Sequence, residues 1–321
     1  NWELSNDEAK LAISNAIRLL GNASAGMSRL RRKKILKSVN PDISDLAEED
    51  IFQSAAPNLF GSGFENLLLN TLVQRGVTPL EVDKTLIAGR LALFENNWSK
   101  ISQDIWILNT IKGYKIEFLG NPTQQGQPKV GSSSTSDQTL LNEEVQKMLT
   151  KGAISEIPLR KYPQGFYSSL FLVSKKDGGK RPVINLKDLN AYVPPYHFKI
   201  EGLHTLRNIL KEGDWMMKVD LKDAYFTIPI HQSDRQFLHF STGSQDFQFN
   251  CLPFSLSCAP WVFTKTLKPV LTLLRELGVR LVAYIDNILV LAETVEKAQD
   301  HTEALIYLLE NLGYVLHPEK S

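Results

Sequence analysis

Two apolar runs that each break on a carboxylate constrain this chain more than any other feature. The first is "WMMKVDLKDAYFTIPI", in which Asp220 ends a strand-like run and Asp223 follows after one turn. The second is "LVAYIDNILVL", in which β-branched and apolar residues flank the polar pair Asp286-Asn287, the pattern of a buried hairpin. Buried carboxylates are costly unless paired or bound to a cation. Two strands delivering Asp220 and Asp286 to one place would suit a pair of divalent ions, because Mg²⁺ takes oxygen ligands and keeps waters and substrate phosphates in its shell. Two such ions can hold both the attacking and leaving oxygens of a phosphoryl displacement. Asp223 also reads as a local turn cap.

A cationic hairpin precedes these runs. "KKDGGKRPVIN", Lys175 to Asn185, has a tight Asp-Gly-Gly turn between two strands, flanked by four cations. It reads either as a charged edge that resists aggregation or as a flap closing over a triphosphate, with Arg181 as a planar fork and Lys175 as a point charge.

The rest of the chain divides by pattern. Residues 1–88 repeat apolar positions at helical spacing and carry five cations in six positions, Arg29, Arg31, Arg32, Lys33 and Lys34. That cluster is a solvated helix face or a nucleic-acid contact. Residues 89–118 are aromatic-rich and end in an extended run, which suggests a segment that docks on something. Residues 119–138, rich in Gly, Pro, Ser and Gln, read as a flexible linker. From 139 to 321 a short helix leads into alternating strands and turns, so the expected class is α+β.

Bulk properties exclude little. With 36 Lys and Arg against 35 Asp and Glu, composition does not announce a nucleic-acid binder. Cys251 and Cys258 have no histidine between them and fit neither a zinc site nor a disulfide framework. They read as reduced core residues, which favours an intracellular compartment. The apolar runs are too short or too interrupted to span a bilayer. Asn1 in the first position reads as a fragment.

The second half resembles the fingers and palm of a reverse transcriptase, and most resembles those of DIRS-type retrotransposons, which integrate with a tyrosine recombinase. "GFYSSLFLVSKKDGG", "EGLHTLRNIL", "GDWMMKVDLKDAYFTIPIH", "CLPFSLSCAPWVFTK" and "LGYVLHPEKS" carry the likeness. "AIRLLGNASAGMSRLRRKKILKSVNPDISDLAEED" is similar to their Gag-like region. The resemblance implies RNA-directed DNA synthesis from dNTPs on an RNA template with a DNA primer, using two Mg²⁺ or Mn²⁺ ions. Asp220 and Asp286 match the bridging carboxylates, and Lys175 and Arg181 match the cations on the triphosphate. The backbone at Asp223 and Ala224 matches the phosphate cradle. Tyr225 matches the aromatic that leaves no room for a ribose 2′-OH. Lys320 matches the lysine that protonates pyrophosphate, and Leu252 to Pro260, with Phe254 and Ser255, match the loop under the template base and nucleotide sugar. It also implies self-association through the N-terminal helices and a cytoplasmic or nuclear setting.

Three positions depart from the family pattern. Asn287 stands where the family has a second Asp, Ser255 where it has Gly, and Asn185 where related elements have Asp. The thumb and RNase H regions of the family are not in the sequence. A second reading therefore stands beside the first: a catalytically inactive, domesticated protein that binds nucleic acid or itself. A third is that the chain has no present function.

Overall fold

The computed structural model describes residues 71–83, 85–124, 135–158, 165–174 and 179–317. Over these residues the class is α+β, with small antiparallel sheets covered by helices. A 3-10 turn, Arg90–Phe94, leads into α1 (Glu95–Ile101) and α2 (Ile105–Gly113). Asp104 starts α2 by accepting a hydrogen bond from the Trp106 amide at 2.8 Å, which satisfies one of the open donors at a helix N-terminus. Next come α3 (Thr135–Thr150), β1 (Ile154–Ile157), and the hairpin of β2 (Leu170–Ser174) and β3 (Lys180–Ile184). After α4 (Lys187–Asn190) and α5 (Leu203–Ile209), β4 (Trp215–Asp220) delivers the first carboxylate. The chain continues through β5 (His239–Ser241), β6 (Asp246–Phe249) and the long α6 (Ala259–Glu276). It ends with β7 (Arg280–Tyr284), β8 (Asn287–Ala292) and α7 (Val295–Glu310).

Three strand groups result: β1-β6-β5, β2-β3 and β4-β8-β7. β8 is central in the last, and its Ile288, Val290, Leu291 and Ala292 are fully buried, the run expected of a strand covered on both faces. Helix α6 closes over β7, and α7 over β4 and β8. The far end of this sheet is clamped by Arg280, whose two terminal nitrogens each donate to an Asp214 carboxylate oxygen at 2.6 Å. That fork holds the Asp214 carboxyl at about 2. A carboxyl with a folded pKa below its unfolded value near 4 stabilises the fold above that value, and the contribution is lost as pH falls towards 2. The melting temperature should accordingly drop less between pH 5 and pH 2 in Asp214→Asn than in the wild type. Equal drops would show that the fork contributes nothing.

The aromatic-rich segment packs on the strands and helices that follow it. Trp98 is fully buried, its Nε1 donates to the Leu312 carbonyl at 2.9 Å, and Asn97 Nδ2 donates to the Asn311 carbonyl at 2.7 Å. Gly313, at φ +94°, turns the chain under this segment; a Cβ there would sit 2.8 Å from the Phe94 ring and 2.9 Å from the Arg90 carbonyl oxygen. Only glycine fits both the space and the conformation.

Two boundaries differ from the sequence pattern. The stretch expected as linker, 119–138, is ordered at both of its described ends. Leu119 donates to the Tyr192 carbonyl at 2.8 Å, and Gln124 makes a reciprocal pair with the Tyr167 backbone at 2.7 Å. Helix α3 begins at Thr135, inside the same stretch. Asp137 in its first turn suits the helix dipole and pairs with Lys180. No break falls at residue 88 either, since the Ile87 and Ala88 amides bond the Lys151 carbonyl and the Gly89 amide bonds that of Phe226.

Candidate active site

Register brings the two carboxylates together. β4 pairs antiparallel with β8, placing Asp220 opposite Asn287, and β7 pairs with β8 so that Tyr284 also faces Asn287. Ile285 and Asp286 are thus the two residues of a tight hairpin turn whose second strand, β8, runs beside β4. The Leu221 amide donates to the Asp286 carbonyl at 2.8 Å, tying the turn to the end of β4. Ile285 has φ +55°. Positive φ at the first central position is the II′ pattern, where glycine is the easy choice. A β-branched residue there is strained, by about 1–3 kcal/mol.

Each carboxylate has a donor from its own chain. Lys218 Nζ lies 3.1 Å from Asp220 Oδ2, as two positions back on a strand share a face. Asn287 Nδ2 donates to Asp286 Oδ1 at 2.9 Å. An ionised aspartate at position 287 has no proton to donate there. The departure from the family pattern therefore replaces a like charge by a hydrogen-bond donor.

The neighbouring loop continues the site. Asp223 adopts φ +48°, tolerable for Asp, and precedes a 3-10 turn, Ala224–Thr227. Its carboxylate pairs with Lys151 at 2.9 Å and makes no capping hydrogen bond to the turn. Tyr225 is buried, with its ring 4.9 Å from that of Phe254 and 5.3 Å from that of Phe263. Burial, with the Asp286 carboxylate as a smaller cause, pushes its phenol up to about 12. Phe254 itself is largely exposed. Asn190 fastens the loop beyond it, donating to the Ser255 carbonyl and accepting from the Ser257 amide, both at 2.9 Å. Ser255 has no positive φ, so its backbone does not demand the glycine usual in the family. Asn185 Oδ1 accepts from the Lys187 amide at 3.2 Å, a role an aspartate would also fill.

The sequence-derived residues are not all within view. Arg181 sits exposed on β3, opposite Val173. Lys175, Lys320 and the cluster of Arg29, Arg31, Arg32, Lys33 and Lys34 lie outside the described residues. The chain just before Lys320 runs along the site, with His317 donating to the Asp220 carbonyl at 2.8 Å and Lys222 to that of Val315 at 2.7 Å. Sequence reasoning missed Lys218 and Lys151. The period of two in "KVD" was signal enough for Lys218; Lys151 is 72 residues from Asp223 and nothing local marks it. Among the described residues no group of three or more His, Cys, Asp or Glu is placed to hold a metal ion, and no helix is long and apolar enough to cross a membrane.

Comparison with known proteins places this geometry in context. The family model described as "Reverse transcriptase (RNA-dependent DNA polymerase)" matches residues 173–321. The "Gag-Pol polyprotein" of Rous sarcoma virus subgroup B (strain Schmidt-Ruppin) is 29% identical over 160 residues, covering 47% of this chain and 10% of that protein. The "Transposon Tf2-7 polyprotein" of Schizosaccharomyces pombe is 28% identical over 181 residues, covering 56% of this chain and 13% of its own length. The match thus spans only about a tenth of each relative.

Proposed function

Starting from a reverse transcriptase domain at residues 173–321, we propose that this chain is the RNA-directed DNA polymerase part of a retroelement polyprotein, of the DIRS type by its motifs, with a Gag-like N-terminal region. One observation carries the reading: β4 and the β7-β8 turn bring Asp220 and Asp286 side by side at one sheet end. The donor set fits hard cations, since Asp220 and Asp286 supply the oxygen ligands by which Mg²⁺ or Mn²⁺ would be held. Bound there, the ions supply positive charge to the attacking and leaving oxygens.

The protein's own groups do the rest. Arg181 and Lys175 hold the triphosphate, and the backbone at Asp223 and Ala224 cradles it. Tyr225, backed by Phe254 and Phe263, fills the space of a ribose 2′-OH and admits deoxynucleotides. The loop of Phe254 and Ser255 supports the nucleotide and template base, and Lys320 protonates the departing pyrophosphate. Lys218 and Asn287 must yield their carboxylates when cations arrive. The template is RNA, the primer DNA, and the setting cytoplasmic or nuclear.

The donors on both carboxylates favour a second reading, an inactive protein that binds nucleic acid or itself. Primer extension on an RNA template, with Mg²⁺ and with Mn²⁺, separates the two. Asn287→Asp adds a negative charge at the site and deletes the donor on Asp286. It should raise incorporation by about tenfold, the equivalent of ~1.4 kcal/mol, and lower the Mg²⁺ concentration needed for half-maximal rate. Extension by neither the wild type nor this variant would favour the binding protein.

A further inference from the structure

Lys151 lies before the matched domain at 173–321 and yet reaches the candidate site. It follows the last turn of α3, and its carbonyl accepts the Ile87 and Ala88 amides at 3.3 and 3.0 Å. The next amide, that of Gly89, donates to the Phe226 carbonyl at 2.8 Å. Gly89 makes that step at φ +66°, where a Cβ would come within 3.1 Å of the Pro229 side chain. One short run of chain, 87–89, therefore joins the end of α3 to the 3-10 turn Ala224–Thr227 that carries Tyr225.

The Lys151 side chain makes a second link to the same turn. Its ammonium lies 2.9 Å from Asp223 Oδ2, and both side chains are partly buried. That oxygen is buried, and no hydrogen bond reaches it among the described residues. The ammonium is thus what offsets the burial of this charge, and removing one partner of such a pair leaves the other uncompensated. Asp223 starts the turn: at φ +48° it offers its carbonyl to the Phe226 amide at 2.9 Å. A left-handed aspartate is tolerated but not preferred, and it persists where its surroundings determine it. The upstream side of the loop is fixed by the Leu221 and Lys222 amides on the Asp286 and Val315 carbonyls. The downstream side depends on Lys151 and Gly89.

We infer that Lys151 is a positioning residue for nucleotide selection. By pairing with Asp223 it sets the turn that presents the Ala224 backbone and the Tyr225 ring, and it neutralises a carboxylate that would otherwise repel an incoming triphosphate. The inference rests on the polymerase reading for the nucleotide, and on the geometry alone for the turn.

The test is single-nucleotide incorporation by the full chain on a primed RNA template, with a dNTP and with the matching rNTP, in whichever of the wild type and Asn287→Asp is the more active. Hydrogen exchange at the Phe226 and Ile228 amides, which bond the Asp223 and Tyr225 carbonyls, is read alongside. Lys151→Gln should raise KM for the dNTP about tenfold with kcat within about twofold of the parent. It should also lower the preference for dNTP over rNTP and speed exchange at both amides. Lys151→Arg should restore all of these. Asp223→Asn keeps a residue that tolerates the left-handed conformation and removes the charge, so adding it to Lys151→Gln should recover most of the loss. Lys147→Gln, one turn earlier on α3 and paired with Glu144 in solvent, should match the parent. Parent values of KM, selectivity and exchange in Lys151→Gln would overturn the inference, as would a loss that Asp223→Asn deepens or a lower melting temperature with KM and selectivity unmoved. If no parent extends a primer, exchange decides. Faster exchange in Lys151→Gln that Lys151→Arg reverses would uphold Lys151 as the residue that sets the turn while the polymerase reading fails, and unchanged exchange would overturn the inference itself.

Discussion

Asp220→Asn should abolish primer extension, by about a thousandfold or more, in whichever of the wild type and Asn287→Asp is the more active. The variant keeps the shape of the side chain and its place at the end of β4, opposite Asn287. On the polymerase reading, what goes is one of two negative charges that would hold the cation pair, an effect of several kcal/mol on the barrier, with each 1.36 kcal/mol worth about tenfold. Stability should hardly move. Lys218 is half exposed, and such ion pairs contribute about 0–1 kcal/mol. The melting temperature should stay within about 3 °C of the parent. Incorporation that survives Asp220→Asn with unchanged melting would sink the two-carboxylate reading, because the residue would then be shown folded, in place and unnecessary. Loss of activity together with a large fall in melting temperature would instead make Asp220 a structural residue.

The parts of this site legible in sequence were those set by local periodicity. The apolar runs "WMMKVD" and "NILVLA" marked β4 and β8 as strands, and a carboxylate closing such a run marked a candidate site because its burial is costly unless it is paired or bound to a cation. The hairpin turn itself carried no glycine signal. Ile285 at φ +55° breaks the usual turn chemistry, so it was the polar pair, not the turn residues, that marked the place. Departures from the family pattern were visible, but their physical meaning was not. That Asn287 donates to Asp286, and that Ser255 has no positive φ, depend on side-chain placement and backbone angles that residue types alone do not fix. Helix α3 starting inside the apparent linker shows the limit of composition: Ser, Thr and Asp suit a helix N-terminus as well as a loop.

Least legible was the seat of the aromatic segment. Asn97 and Trp98 meet Asn311 and Leu312 across 214 residues of chain, a pairing no local pattern encodes. It leads to the largest expected effect on stability. Trp98→Ala should cost about 3–5 kcal/mol, the usual range for deleting a large buried aromatic. Part of that is the Leu312 carbonyl left without its donor, at about 1–3 kcal/mol, and part is the lost edge contact with Tyr314, whose ring centre is 6.2 Å away. Trp98→Phe keeps most of the packing and loses only the N–H, so it should fall between alanine and the wild type. Urea unfolding gives the two losses. Hydrogen exchange at residues 311–317 then tells where they act, because this stretch also bonds Asp220 and Lys222 through His317 and Val315. Faster exchange there in Trp98→Ala, with slower primer extension, would mean that a segment outside the matched domain holds the catalytic strand end in position. An unchanged urea midpoint would mean that the segment rests on the domain without supporting it.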